Sequence, residues 1–190
     1  VYFFYHLPTE IVMTFKYEDI FGKITPELAQ EIIAFWTEEK ALPKDAKPEH
    51  RAQQAVIAMR DEQGKIAAVS TAVIRVIPRL RQPMYYYRTF CAEQYRGKNT
   101  SIPMMKASQQ ALLDYNLKLE KPNAIGILIE IENNMIAEHY NEAFWPPTGF
   151  SFIGYSQRGL ILRAYYFPGF VLMKPAPLRK QQNQGKVKIN

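Results

Sequence analysis

The sequence has a single cysteine, Cys91. One thiol cannot build a disulfide framework, so the chain must fold on its apolar core alone. It has only three histidines, His6, His50 and His139, far apart in the sequence, and no paired cysteines. A zinc site would have to draw its ligands from unrelated elements, so no metal is expected. Nine glycines in 190 residues leave no Gly-x-x-x-x-Gly-Lys-Ser/Thr loop, no Gly-x-Gly-x-x-Gly and no Gly-x-Ser-x-Gly. P-loop phosphoryl transfer, dinucleotide binding and nucleophile-elbow hydrolysis therefore have no support. His-Glu-x-x-His is also missing. No uninterrupted apolar run approaches the roughly 20 residues of a membrane span, and Val1–Leu7 is too short for a signal peptide and has no basic n-region. The expectation is a soluble protein of a reducing compartment, the cytoplasm, without a membrane partner.

What is present is enough for a core. The chain is 47% hydrophobic and carries 12 Tyr, 11 Phe and 2 Trp, too apolar for disorder. Its length suits one domain, expected over 1–173. Its net charge of +6 is unevenly spread. Residues 1–74 sum to −3 and residues 107–173 to −2. Residues 75–106 carry seven basic side chains (Arg75, Arg79, Arg81, Arg88, Arg96, Lys98, Lys106) against Glu93. The stretch 174–190 adds five more and no acid, and with no apolar periodicity it reads as a basic polar tail.

Local signals give an order of elements. Ile11–Tyr17 alternates like a strand. Thr25-Pro26-Glu27 combines a cap, a first-turn proline and a first-turn acid, and Leu28, Ile32, Phe35 and Trp36 follow at helical spacing. A second helix is expected from Pro48, with Ala52, Ala55, Val56 and Met59 on one face, ending at Gln63-Gly64. Lys65–Ile77 and Tyr85–Cys91 read as strands joined by a basic loop. Met105, Ser108, Leu112, Tyr115 and Leu119 mark a helix over 99–119. Ile125–Ile131 reads as a strand covered on both faces, 134–145 as a helix stopped by Pro146-Pro147, and Phe150–Tyr155 and Leu160–Leu172 as strands. The sum is an α/β domain with a mixed central sheet and helices on both faces.

The informative stretch runs from Thr89 to Ser101. A strand ends, a basic glycine-containing turn follows, and a long helix begins. Free amides at a helix start, with the positive end of its dipole, favour an anion, and Arg96 and Lys98 add charge. The alternative is an ordinary turn whose basic residues face water.

Tyr95-Arg96-Gly97-Lys98-Asn99-Thr100-Ser101 resembles the acyl-CoA pyrophosphate loop of the GNAT (Gcn5-related N-acetyltransferase) superfamily, written Arg/Gln-x-x-Gly-x-Gly/Ala. Asn99 and Ser101 stand where that motif has glycine and a second small residue. Asn is the non-glycine residue most at ease at positive φ. Asn133, Tyr140 and Gly149-Phe150 resemble a second motif of the superfamily, with Ala137 one place late and a longer gap between Tyr140 and Gly149. The resemblance implies a GNAT-like fold and an acyl-CoA substrate, acetyl-CoA first. It implies that backbone groups of Phe90 and Cys91 pair with the pantetheine and that the amides from Gly97 to Ser101, flanked by Arg96, hold the pyrophosphate. Asn133 belongs to the same binding set, and Tyr140 is the acid that protonates the departing thiolate.

Tyr140 also fits a packed position between Ile136 and Phe144 on a helix. For the base, Glu130 comes first: it alternates with Ile127 and Ile129 on an apolar strand, where burial raises a carboxyl pKa. Pairing with an arginine such as Arg88 is the competing reading. Glu93 is second. Cys91 reads as a small buried hydrophobe and not a nucleophile. Two functions follow. One is an N-acyltransferase acting on a small-molecule or peptide amine, with a homodimer compatible. The other, less favoured, is a non-catalytic GNAT-like or α/β binding module whose basic hairpin (Arg75, Arg79, Arg81) and tail contact an anionic partner such as nucleic acid.

Overall fold

A computed structural model describes residues 14–175. The elements run β1 (Lys16–Asp19), α1 (Pro26–Glu38), α2 (Pro48–Ala52), β2 (Ala55–Arg60), β3 (Ile66–Val76), β4 (Pro83–Cys91), a 3-10 turn (Glu93–Tyr95), α3 (Ser101–Lys118), β5 (Gly126–Glu130), α4 (Asn134–His139), β6 (Phe144–Trp145), β7 (Phe150–Tyr155) and β8 (Ile161–Tyr166). The strands hydrogen-bond in the order β1-β2-β3-β4-β5-β8-β7-β6, a mixed sheet in which β4 and β5 run parallel. The described residues divide into two compact units, 14–71 with 88–112 and 72–87 with 113–175, and β3, β4 and α3 run through both.

In the first unit, Thr25 caps α1 by accepting a hydrogen bond from Leu28 N at 3.2 Å, and Pro26 opens the helix. Ala29, Ile32, Phe35 and Trp36 are its buried face. α2 stops at Ala52, and Ala55–Arg60, expected as its continuation, is strand β2. Ala55, Val56 and Met59 do fall at helical spacing, but the unbroken run Ala55–Met59 is buried throughout because β2 lies between β1 and β3. A central strand hides both faces, so its sequence has no alternation to reveal it. Ile57 N donates to the Ser70 hydroxyl, which meets Ser108 at 3.0 Å, and this buried polar chain ties β2 and β3 to α3.

In the second unit, Met84, Tyr86, Ile125, Leu128, Leu162 and Ala164 form a core cluster. Gly126 lies so close to β8 that a Cβ there would overlap the Tyr165 carbonyl oxygen. The helix expected over 134–145 ends at His139, and Phe144–Trp145 pairs with Ser151 and Phe150 as an edge strand. Pro146 pushes Trp145 toward extended backbone and so favours the strand. β8 ends at Tyr166, short of Leu172, because Pro168-Gly169 cannot continue it. Of the expected first strand, residues 11–13 lie outside the described residues, as does 176–190 of the tail.

Candidate functional site

The candidate residues fall into two groups, one in each unit. In the first unit the chain leaves β4 at Cys91, and the Ala92 amide donates to Ala67 O at 3.0 Å. The 3-10 turn follows, and Tyr95 packs into the unit. Its hydroxyl donates to Asp61 Oδ2 at 2.6 Å, and Phe15 meets its ring edge-on at 5.5 Å. Asp61 Oδ1 also accepts from the amides of Gln63 and Lys65. The Tyr95 hydrogen bond foremost holds the Asp61 carboxyl below the usual range, and the same bond raises the Tyr95 phenol. The turn preceding α3 is thus pinned to the β2–β3 hairpin.

Beyond that anchor Gly97 has φ 74° and Asn99 φ 55°. Two left-handed residues in five let the backbone curl, as the sequence leads one to expect. Thr100 O accepts from Met104 N, and α3 begins at Ser101. Among the described residues no hydrogen bond engages the amides of Gly97, Lys98, Asn99, Thr100, Ser101 or Ile102. Arg96 Nε donates to Cys91 O at 3.1 Å and its guanidinium lies 5.7 Å from the Phe90 ring centre. Lys98 is exposed. Six open amides beside two cations are an arrangement that favours an anion. The Cys91 carbonyl already takes Arg96, so only part of its capacity is left for a ligand. Burial raises the Cys91 thiol, with Thr100 and Arg96 pulling the other way, which does not make a nucleophile. Glu93 is exposed at the first position of the 3-10 turn.

In the second unit Glu130 closes β5. Burial pushes its carboxyl up, but hydrogen bonds from Arg158, Ser156 and Tyr86 outweigh that and hold it down at about 2. The upward shift expected from the sequence is not found. The partner is Arg158, from the β7–β8 turn, and not Arg88: Arg158 Nη2 reaches Glu130 Oε2 and Glu132 Oε1 at 2.7 Å each. A carboxylate so engaged is a poor proton acceptor for an ammonium. Asn133 caps α4, its Oδ1 accepting from Met135 N at 2.9 Å and Ile136 N at 3.4 Å.

Tyr140 is not inside a helix. It is the cap that ends α4, and its ring is exposed and not packed between Ile136 and Phe144. Its carbonyl accepts from Trp145 Nε1 at 3.1 Å and from Arg163 Nη2 at 2.8 Å. The Trp145 ring meets the Tyr140 ring edge-on at 5.9 Å, and the Arg163 guanidinium lies 3.9 Å from the Trp145 ring centre. The backbone of Tyr140 is fixed on two sides while its hydroxyl finds no partner among the described residues. Asp61, Arg158 and Arg163 were not singled out from the sequence. For Arg163 a signal existed: one cation inside the apolar run Ile161-Leu162-Arg163-Ala164-Tyr165.

The basic hairpin is occupied within the unit. Arg75 stacks on Tyr86 at 4.4 Å, Arg79 Nη1 donates to Ile153 O at 3.3 Å, and Tyr85, Tyr86 and Tyr87 are all buried. These tyrosines offer no platform for bases.

Solved structures share the fold. The ribosomal-protein-S5-alanine acetyltransferase of Vibrio fischeri superposes with a TM-score of 0.55 at 14% identity, over 80% of this chain and 92% of that one. The fold is that of the GNAT acetyltransferases. A putative acetyltransferase from Acinetobacter baylyi gives 0.52 at 14% identity over 89% of this chain and 97% of that one. A GNAT-family acetyltransferase from Streptococcus pneumoniae gives 0.50 at 13% over 80% and 99%. No protein-family model matches the sequence and no curated protein matches it. At such identities the likeness to GNAT proteins is one of fold. Among the described residues no group of three or more His, Cys, Asp or Glu could hold a metal. No helix among them is long and apolar enough to cross a membrane.

Proposed function

We propose that this chain transfers an acyl group, acetyl first, from acyl-CoA to an amine on a small molecule or peptide. The observation that supports it best is the turn at Gly97–Ile102, with its open amides and left-handed Gly97 and Asn99, within a GNAT fold. The donor set fits a pyrophosphate: backbone amides at a helix start, plus Arg96 and Lys98, and no acid other than Glu93 nearby in sequence. Backbone groups of Phe90 and Cys91 would take the pantetheine, and Thr100 and Ser101 the first helical amides.

The reaction is a direct attack. The amine nitrogen bonds to the thioester carbonyl carbon, the C–S bond breaks, and the ammonium proton leaves to a base. Tyr140, exposed and with its hydroxyl uncommitted, returns a proton to the thiolate. Of the two carboxylates, Glu93 suits the base better, because Glu130 is locked to Arg158 and Tyr86. The lone thiol, Cys91, is compatible with work in the cytoplasm. The reading is tested by following CoA released chromatographically from acetyl-CoA with a panel of amines. Amine-dependent release that drops in Tyr140→Phe supports it, and no release with any amine opposes it.

A further inference from the structure

Arg163 on β8 is 1% exposed, among the largest fully buried side chains of the described residues. A guanidinium cannot shed its proton to escape burial, so such a charge needs acceptors. Among the described residues it has one, the Tyr140 carbonyl at 2.8 Å, and its Nε and Nη1 have none. Burial lowers its pKa, and Glu142, the acid acting against that, forms no salt bridge with it among the described residues. Opposite Arg163 in the sheet stand Ile129 on β5 and Phe152 on β7, which supply no side-chain oxygen. Leucine or valine would fit this register at far lower cost. Buried orphan donors on a permanent cation imply an anion that completes them.

The cover over Arg163 is thin. The segment from Tyr140 to Trp145 holds one nitrogen and one face of the guanidinium, and β6 within it is an edge strand of two residues. Opening that segment frees the cation beside Tyr140, whose exposed side chain we assign to the chemistry. Building on the acyl-transfer reading, we propose that Arg163 receives the carboxylate of the acceptor. The substrate class is then a small molecule that carries both an amine and a carboxylate, such as a free amino acid. Arg163 would hold its carboxylate while the amine is acylated.

Trp145 reports on this directly. The sequence has two tryptophans, Trp36 and Trp145, so Trp36→Phe leaves the one stacked on Arg163 as the sole indole. Titration with L-alanine and L-glutamate, against L-alaninamide, should shift its emission saturably for the acids only. Arg163→Gln should weaken that response about thirtyfold or more, and Arg163→Lys should keep part of it. If Arg163→Gln does not fold, the acid-against-amide comparison on the single-tryptophan protein still decides. An emission unmoved by either acid at tens of millimolar, or moved equally by the amide, overturns the site. The readout needs no acyl-CoA, so an acid-specific response with no acetyl transfer would keep the carboxylate site and sink the transfer reading. Transfer that ignores the carboxylate would do the reverse.

Discussion

The Tyr86 hydroxyl donates to Glu130 Oε2 at 2.6 Å, on the same oxygen that receives Arg158. Glu130 is thereby the centre of a network that ties β4, β5 and the β7–β8 turn together, with Arg75 stacked on the Tyr86 ring. Its carboxyl stays ionised down to about pH 2. A group whose folded pKa lies below its unfolded one stabilises the fold above the unfolded value, near 4.3, and loses that contribution as pH falls toward 2. Glu130→Gln should therefore melt at a lower temperature than the parent at pH 7. The gap should shrink between pH 4.5 and pH 2. A gap that stays constant over that range would show that the carboxylate charge is not what holds the network.

Tyr95→Phe leaves Asp61 Oδ2 buried without its donor, and a loss of about 1–3 kcal/mol is expected. Because Tyr95 is the residue before Arg96, the same variant should also weaken any acyl-CoA response. Urea titration with and without acetyl-CoA checks both.

Gly97 sits at φ 74° with no atom near an added Cβ, so Gly97→Ala costs backbone strain alone, about 1–2 kcal/mol. Asn99→Asp keeps the side-chain shape and its tolerance of φ 55° but sets a negative charge among the amides. It should melt close to the parent while losing most of its affinity for acetyl-CoA, as calorimetric titration would show. Affinity unchanged in Asn99→Asp would remove the anion site from this turn.

Tyr140→Phe deletes a hydroxyl that has no partner among the described residues, so the melt should not move. Loss of the general acid should lower turnover by about a hundredfold or more, with acetyl-CoA affinity retained. Full activity in this variant would return the proton's source to water or another side chain.

Much of the fold and part of the site could be read from residues. Thr25-Pro26, the helix expected over 99–119 and observed at 101–118, and the turn at Gly97 and Asn99 each carry local chemistry that specifies local backbone. β2 was not legible, because a strand buried on both faces has no period, and Ala55, Val56 and Met59 happened to mimic a helix. The sequence puts Glu130 on an apolar strand, where β5 has it, but its low pKa comes foremost from Arg158, 28 residues away. Tyr140's setting depended likewise on Arg163, 23 residues on. Such partners come together only through the sheet, and nothing in their own sequence neighbourhoods announces them.

The proposed acyl transfer requires the turn at Gly97–Ile102 to bind the pyrophosphate of an acyl-CoA. Thermal melts with and without acetyl-CoA test it most directly, with Asn99→Asp run alongside. At a hundred times its dissociation constant the ligand should add about 2.7 kcal/mol, a rise of about 5 °C or more for a chain of this size, and the variant should lose most of that rise. Parent melts unmoved by millimolar acetyl-CoA, free CoA and a longer acyl-CoA would contradict the account.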